Sequence, residues 1–182
     1  MEELYKAAHE LGMNEIILQD TVIENGPCTL LAMPQNLLDL SYQLFPSAHL
    51  HSASTVWVKG IIQAHSQVPT RQTFINIYSS FFEISIVQGS RLLFLNAFKY
   101  NAPSDVLYYV IFILEQLGLT PSEEEVVIMG YTEEKSLICE QLRLYCSKLT
   151  LAKAPINMEL DRFPNGFSVH TYFTLLSLPL CG

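Results

Sequence analysis

Charge is scarce in this 182-residue chain. Charged residues make up 15% of it, where globular chains average about 25%. Basic residues are the rarer sign, ten against eighteen acidic ones for a net charge of −8, and no Lys/Arg cluster occurs. Phosphate-backbone attraction therefore has no footprint, and nucleic acid is not an expected partner. Long apolar runs are missing too: the longest, Val106 to Leu114, has nine residues, about half of what a membrane-spanning helix needs. The opening Met1-Glu2-Glu3 has neither the basic nor the apolar region of a signal peptide, so a soluble, cytoplasmic protein without a membrane span is expected. Four cysteines, Cys28, Cys139, Cys146 and Cys181, show no C-x-x-C spacing, which leaves no zinc site and no disulfide framework to expect. Cys139 and Cys146 stand seven apart on one expected helix face and are read as buried structural thiols. The P-loop, G-x-G-x-x-G, G-x-S-x-G and H-E-x-x-H patterns are all absent.

What the chain has is apolar residues, 49% of the total. With so little charge to cover them, part of the surface is expected to be apolar and to meet a partner. Residues 2–11 read as a short amphipathic helix, with Leu4, Ala7, Ala8 and Leu11 at helical spacing before Gly12. Strand-like runs at 15–18 and 28–32 flank Asn25-Gly26, a tight-turn pair. Pro34 opens a helix to Leu44 with Leu37, Leu38, Leu40 and Leu44 as its stripe; a strand at 48–52 and a helix at 54–66 follow. The polar, Pro-containing stretch 66–72 lacks periodicity and marks a boundary, giving parts 1–68 and 69–182.

After the boundary the pattern restarts. Residues 74–78, 82–87 and 92–98 are expected strands with turns at Tyr78-Ser79-Ser80 and Gln88-Gly89-Ser90. In the middle strand Phe82, Ile84 and Ile86 alternate with Glu83, Ser85 and Val87, which predicts one face on the core and one partly wet. Asn101-Ala102-Pro103-Ser104-Asp105 leads into a helix, apolar almost all round, that closes at Gly118. A buried strand at 126–129, a helix at 133–146, a strand at 149–152 and a helical run at 171–178 complete an α/β chain.

The second part thus runs β-β-β-α-β-α-β-α, the order found in each lobe of the actin-like ATPases and in the ribonuclease H-like fold. "LLFLNAFKYNAPSDVLYYVIFILEQLGLTP", residues 92–121, resembles the signature of an uncharacterised bacterial family with an actin-like ATPase fold, a domain of unknown function similar in architecture to pilus-assembly and cell-division members of that superfamily. "HTYFTLLSLPLCG" resembles its carboxyl end. The resemblance covers residues 73–182 and, more loosely, 13–66. It implies two lobes with mixed sheets flanked by helices, residues 1–68 forming a partial first lobe without its opening strands and 69–182 a second lobe.

The resemblance also implies where a site belongs. Nucleotide sits between the lobes, and the turn after each first strand carries Asp-x-Gly, the acid serving a metal or water and the glycine letting amides reach a phosphate. The matching positions here are Asn76-Ile77-Tyr78-Ser79-Ser80, and the superfamily's later glycine pair is Gly130-Tyr131. Asn76, Tyr78, Ser79, Ser80 and Gly130 would contact a cofactor only if nucleotide binds. Asparagine lacks the charge a magnesium shell needs, and a tyrosine stands where phosphate would approach, so no catalytic residue, no metal and no cofactor is expected. Ribonuclease H chemistry also wants an acid on the first strand, where Asn76 stands.

Other features read plainly. His49 and His51 share one side of the expected strand without a third ligand, His170 enters a helix, and the Glu123–Glu125 and Glu133-Glu134 runs are solvated flanks. Tyr108, Tyr109 and Phe112 are expected beyond the core stripe of their helix, as contacts for a protein partner or a second copy. Two readings stay open: a non-catalytic pseudo-ATPase interaction module or scaffold, and a nucleotide-binding actin-like protein whose lobes move on ATP.

Overall fold

The computed structural model describes residues 3, 5, 11–24, 26–155, 164 and 166–181. Of the helix expected over 2–11, residues 3 and 5 are helical and Leu11 is not; the rest, like Asn25 of the first turn, lies outside the described residues.

The chain begins with an antiparallel hairpin of β1, Glu15–Thr21, and β2, Cys28–Pro34. Helix α1, Gln35–Leu44, follows directly, Pro34 being its N-cap, and helix α2 covers Ala53–His65. The expected strand at 48–52 is corrected: these residues carry no ladder. Asp20 holds them instead, one oxygen 3.0 Å from His51 Nδ1 and the other accepting the Ser52 amide at 2.7 Å, so side-chain bonds replace a sheet.

A five-stranded sheet follows, in the order β5-β4-β3-β6-β7. Its strands are β3, Arg71–Ile77; β4, Phe81–Gln88; β5, Arg91–Lys99; β6, Glu125–Gly130; and β7, Lys148–Leu151. The β3-β4-β5 meander is antiparallel, whereas β6 pairs with β3 and β7 with β6 in parallel. Helices α3, Pro103–Gln116, and α4, Leu137–Arg143, supply the crossovers that parallel pairing demands. Two cross-links at the start of β3 and β6 hold their register: Arg71 to Glu124, just before β6, and Gln72 to Glu125 at 2.8 Å.

Both faces of the sheet are covered. Ile75, Ile77, Phe82, Ile84, Val126 and Ile128 pack with Val106, Val110 and Leu114 of α3 and Ile138 and Leu142 of α4. On the other face Phe74, Val87, Val127 and Met129 meet Trp57, Val58 and Ile61 of α2 and Phe173 of α5, Phe173–Leu176. The half-wet face expected for the middle strand is therefore corrected: Glu83, Ser85 and Val87 are buried, because α2 and α5 lie over them. Each large apolar side chain sealed in this way contributes about 1.5–3 kcal/mol.

Two helices are shorter than the periodicity predicts. Ser136 accepts the Cys139 amide at 3.3 Å and so starts α4 at Leu137, after a turn closed by Ser136 N–H to Glu133 O. The run over 171–178 forms α5 and then a 3₁₀ turn, Leu178–Cys181, since Pro179 has no N–H with which to extend an α-helix. Cys139 and Cys146 are buried free thiols, as expected, but Cys146 lies beyond the end of α4 and not on a shared helix face. Among the described residues no helix is long and apolar enough to cross a membrane.

Candidate functional site

Asn76 and Glu83 face each other across the β3–β4 ladder, a few residues from the turn that joins the two strands. Helices α2 and α5 lie above them, and both side chains are almost fully buried. A buried polar group has to find partners or its desolvation goes uncompensated. Here the partners converge from three places, α2, the β3–β4 turn and α5. The Ser54 hydroxyl, from the first turn of α2, donates to one Glu83 oxygen; the Tyr78 hydroxyl donates to the other at 3.1 Å. The Asn76 amide donates to Tyr78 Oη at 2.8 Å and to Thr174 Oγ1 of α5 at 3.3 Å.

Electrostatics follow from the enclosure. Burial pushes the Glu83 carboxyl above its ordinary range, against the opposing pull of bonds from Ser54, Tyr78 and Asn76. The Tyr78 phenol is also driven up, by burial first and then by the nearby Glu83 charge.

The turn itself is tied down. Tyr78 donates its amide to Phe81 O at 2.9 Å, its ring stacks on Phe81 at 4.3 Å, and its carbonyl accepts the Tyr100 hydroxyl at 2.6 Å. Ser79 and Ser80 are exposed at the tip. Gly130, at the end of β6, has φ +89°, and a Cβ there would stand 2.1 Å from Ile77 O and 2.7 Å from Asn76 Oδ1. The next amide, of Tyr131, bonds Ile77 O at 2.7 Å, while the Tyr131 side chain is exposed. Of the residues singled out in the sequence, then, Asn76, Tyr78 and Gly130 come together, and the two serines stand apart.

The histidines are placed otherwise than expected. His49 is exposed, His51 is held by Asp20, and His170 Nε2 lies 2.9 Å from Thr132 O. Among the described residues no group of three or more His, Cys, Asp or Glu is arranged to hold a metal ion.

A second feature lies on the other side of the sheet. Ser104, Leu107, Tyr108, Ile111, Phe112 and Glu115 of α3, with Tyr145 after α4, line a mostly apolar groove of 370 Å³. Tyr108 and Phe112 are 62% and 46% exposed, and their rings stack 6.0 Å apart. Tyr109 departs from the expectation: it is half-buried and stacks on Phe98 of β5 at 4.8 Å, because its position on α3 turns toward the sheet edge.

The family model for DUF3822, a protein of unknown function, matches residues 1–149. The chain belongs to this family. A Bacteroides thetaiotaomicron crystal structure, described as a protein with actin-like ATPase fold and unknown function, matches this DUF3822 chain with TM-score 0.75 and 17% identity over 83% of its residues. The fold is thus actin-like, as the resemblance implied. The chain spans 59% of that protein's length. No curated protein matches it.

Glu83, Ser54 and Thr174 were not singled out in the sequence. One signal was present: Glu83 is the only charge in Phe81–Val87, a run otherwise fit for a doubly covered strand. Nothing local links it to residues 54 and 174, which reach it only through the packing of α2 and α5.

Proposed function

We propose that this DUF3822 chain is a non-catalytic interaction module on a degenerate actin-like fold. The observation that carries this is the occupation of the first turn by its own side chains. Magnesium-bound triphosphate wants carboxylate oxygens for the ion and unengaged amides for the phosphate. At this turn the amide group of Asn76 donates inward, the Tyr78 N–H is already used by Phe81 O, and Glu83 is sealed under α2 and α5. That donor set does not fit the group.

The groove along α3 supports the interaction half of the reading, since exposed tyrosine and phenylalanine beside a cleft are the residue types that anchor interfaces. The reading takes residues 1–68 as a partial first lobe and 69–182 as the second. It sets the protein in a bacterial cytoplasm, consistent with free thiols at Cys28, Cys139, Cys146 and Cys181, and gives it no nucleic-acid partner.

A thermal-shift titration with ATP and magnesium tests it. Bound nucleotide at a hundredfold excess over Kd stabilises by about 2.7 kcal/mol, so an unmoved transition at millimolar ATP is the expected result. A saturable rise in the transition would overturn the reading in favour of a nucleotide-responsive protein.

A further inference from the structure

The groove along α3 carries a charge pattern as well as an apolar lining. From Ser104 to Glu115 it runs about 16 Å, the length of about three helical turns. Its walls are Leu107, Tyr108, Ile111, Phe112 and Tyr145, and its one charged residue, Glu115, stands at the far end. That end is the last turn of α3, where backbone carbonyls already concentrate partial negative charge and where cations, not anions, are favoured. No basic residue occupies the last turn. Glu115 therefore adds negative charge to a helix terminus that is itself negative, on a chain of net charge −8.

A second copy of this chain fits the pattern poorly, because it brings no basic cluster and a like net charge of −8 to the groove. A helix with apolar residues on one face and Lys or Arg at the end lying over Glu115 fits it well. Its apolar side chains enter between Tyr108, Phe112 and Tyr145, and its cation meets a carboxylate, a helix carboxyl terminus and the faces of exposed aromatic rings.

We propose that the α3 groove docks a basic amphipathic helix of a partner protein, with Glu115 selecting for its positive charge. This rests on the interaction reading above and adds the chemistry of the partner. It is independent of the nucleotide titration, so each can fail alone.

The test uses two fluorescent helical peptides of about 14 residues, one with Leu on one face and Lys on the other, one with Leu and Glu, in fluorescence anisotropy against the full chain. The Leu/Lys peptide is expected to bind at least about tenfold more tightly than Leu/Glu, with the difference shrinking as salt rises. Tyr108→Ser with Phe112→Ser, both at exposed positions that leave the core intact, should remove binding. Glu115→Lys should invert the preference and admit the Leu/Glu peptide. Leu/Lys binding that survives the double variant is attraction to an acidic chain at large and overturns the proposal. So does an unchanged preference in Glu115→Lys, or failure of both peptides to bind. Equal binding of both peptides, lost in the double variant, removes the charge selection while leaving the groove as an interaction surface.

Discussion

Glu83 gathers most of what is unusual in this molecule at a single residue. A carboxyl whose proton affinity rises on folding makes the folded chain bind more protons than the unfolded one between the two pKa values, so stability falls as pH climbs from the ordinary carboxylate range through the raised value. Glu83→Gln keeps the shape and cannot ionise. Relative to wild type, its urea midpoint is expected to rise between the ordinary carboxylate range, about pH 4, and pH 8, with the wild-type decline flattened. A variant that loses stability equally at both values would show that Glu83 sits ionised and well paired instead. Tyr78→Phe removes the donor to Glu83 and the acceptor for Asn76 together, and should cost about 1–3 kcal/mol. Paired midpoints in one buffer series would measure it. Gly130→Ala should cost more than the roughly 1–3 kcal/mol of backbone strain, because its Cβ also meets Ile77 O at 2.1 Å. Gly118→Ala is the control, with a similar positive φ and nothing within 4 Å, and should show the strain alone. Equal losses in the two variants would mean that the close approach of β6 to β3 carries no cost.

Elements show where sequence sufficed. The order of strands and helices after residue 70 was legible because each run is bounded by local chemistry: Pro103 and Asp105 at the start of α3, Gly118 after its end, Ser79-Ser80 and Gly89 in the turns. Asp105 accepts the amides of Asn101 and Ala102 at 2.9 and 3.0 Å, the local bonds its place in the first turn implied. What local pattern lacked was the long-range partner. Glu83 and Ser85 alternate with apolar residues like a wet face, and only the arrival of α2, some thirty residues earlier in sequence, and α5, some ninety later, makes that face interior. Residues 48–52 failed for the converse reason: a run of strand composition paired with nothing, because Asp20 took its terminal groups. Half of the site, Asn76, Tyr78 and Gly130, was marked by position in a resemblance; Ser54, Glu83 and Thr174 were joined to it by packing alone. Trp57 reports on that packing. It is the chain's single tryptophan, fully buried with its indole N–H donating to Met129 Sδ at 2.9 Å. Its emission should be blue-shifted in the native protein and move to the red when α2 leaves the sheet.

At the scale of the whole molecule the two sheets differ in what supports them. The five-stranded sheet is covered on both faces, whereas the β1–β2 hairpin is a two-stranded sheet whose strands hold few deeply buried residues. The adjoining α1 buries Leu38 and leaves Leu37, Leu40, Leu44 and Phe45 exposed. Two-stranded sheets are marginal in water, and regions with few buried contacts open at lower free energy than the core. The proposed lobe division at 68/69 follows chain order; the unit that unfolds together is set by packing, and α2 packs on β3, β4 and β6 through Trp57, Val58 and Ile61. The cooperative boundary is therefore expected between α1 and α2, ahead of Ala53. Hydrogen exchange read by mass spectrometry in low urea checks this: amides of 15–44 should exchange first, through local opening that urea barely accelerates. Those of α2 should exchange with β3, β4 and β6 at the free energy of global unfolding. Exchange of α2 together with the hairpin, ahead of the sheet, would put the boundary at the topological division and make Trp57 a weak joint in the molecule.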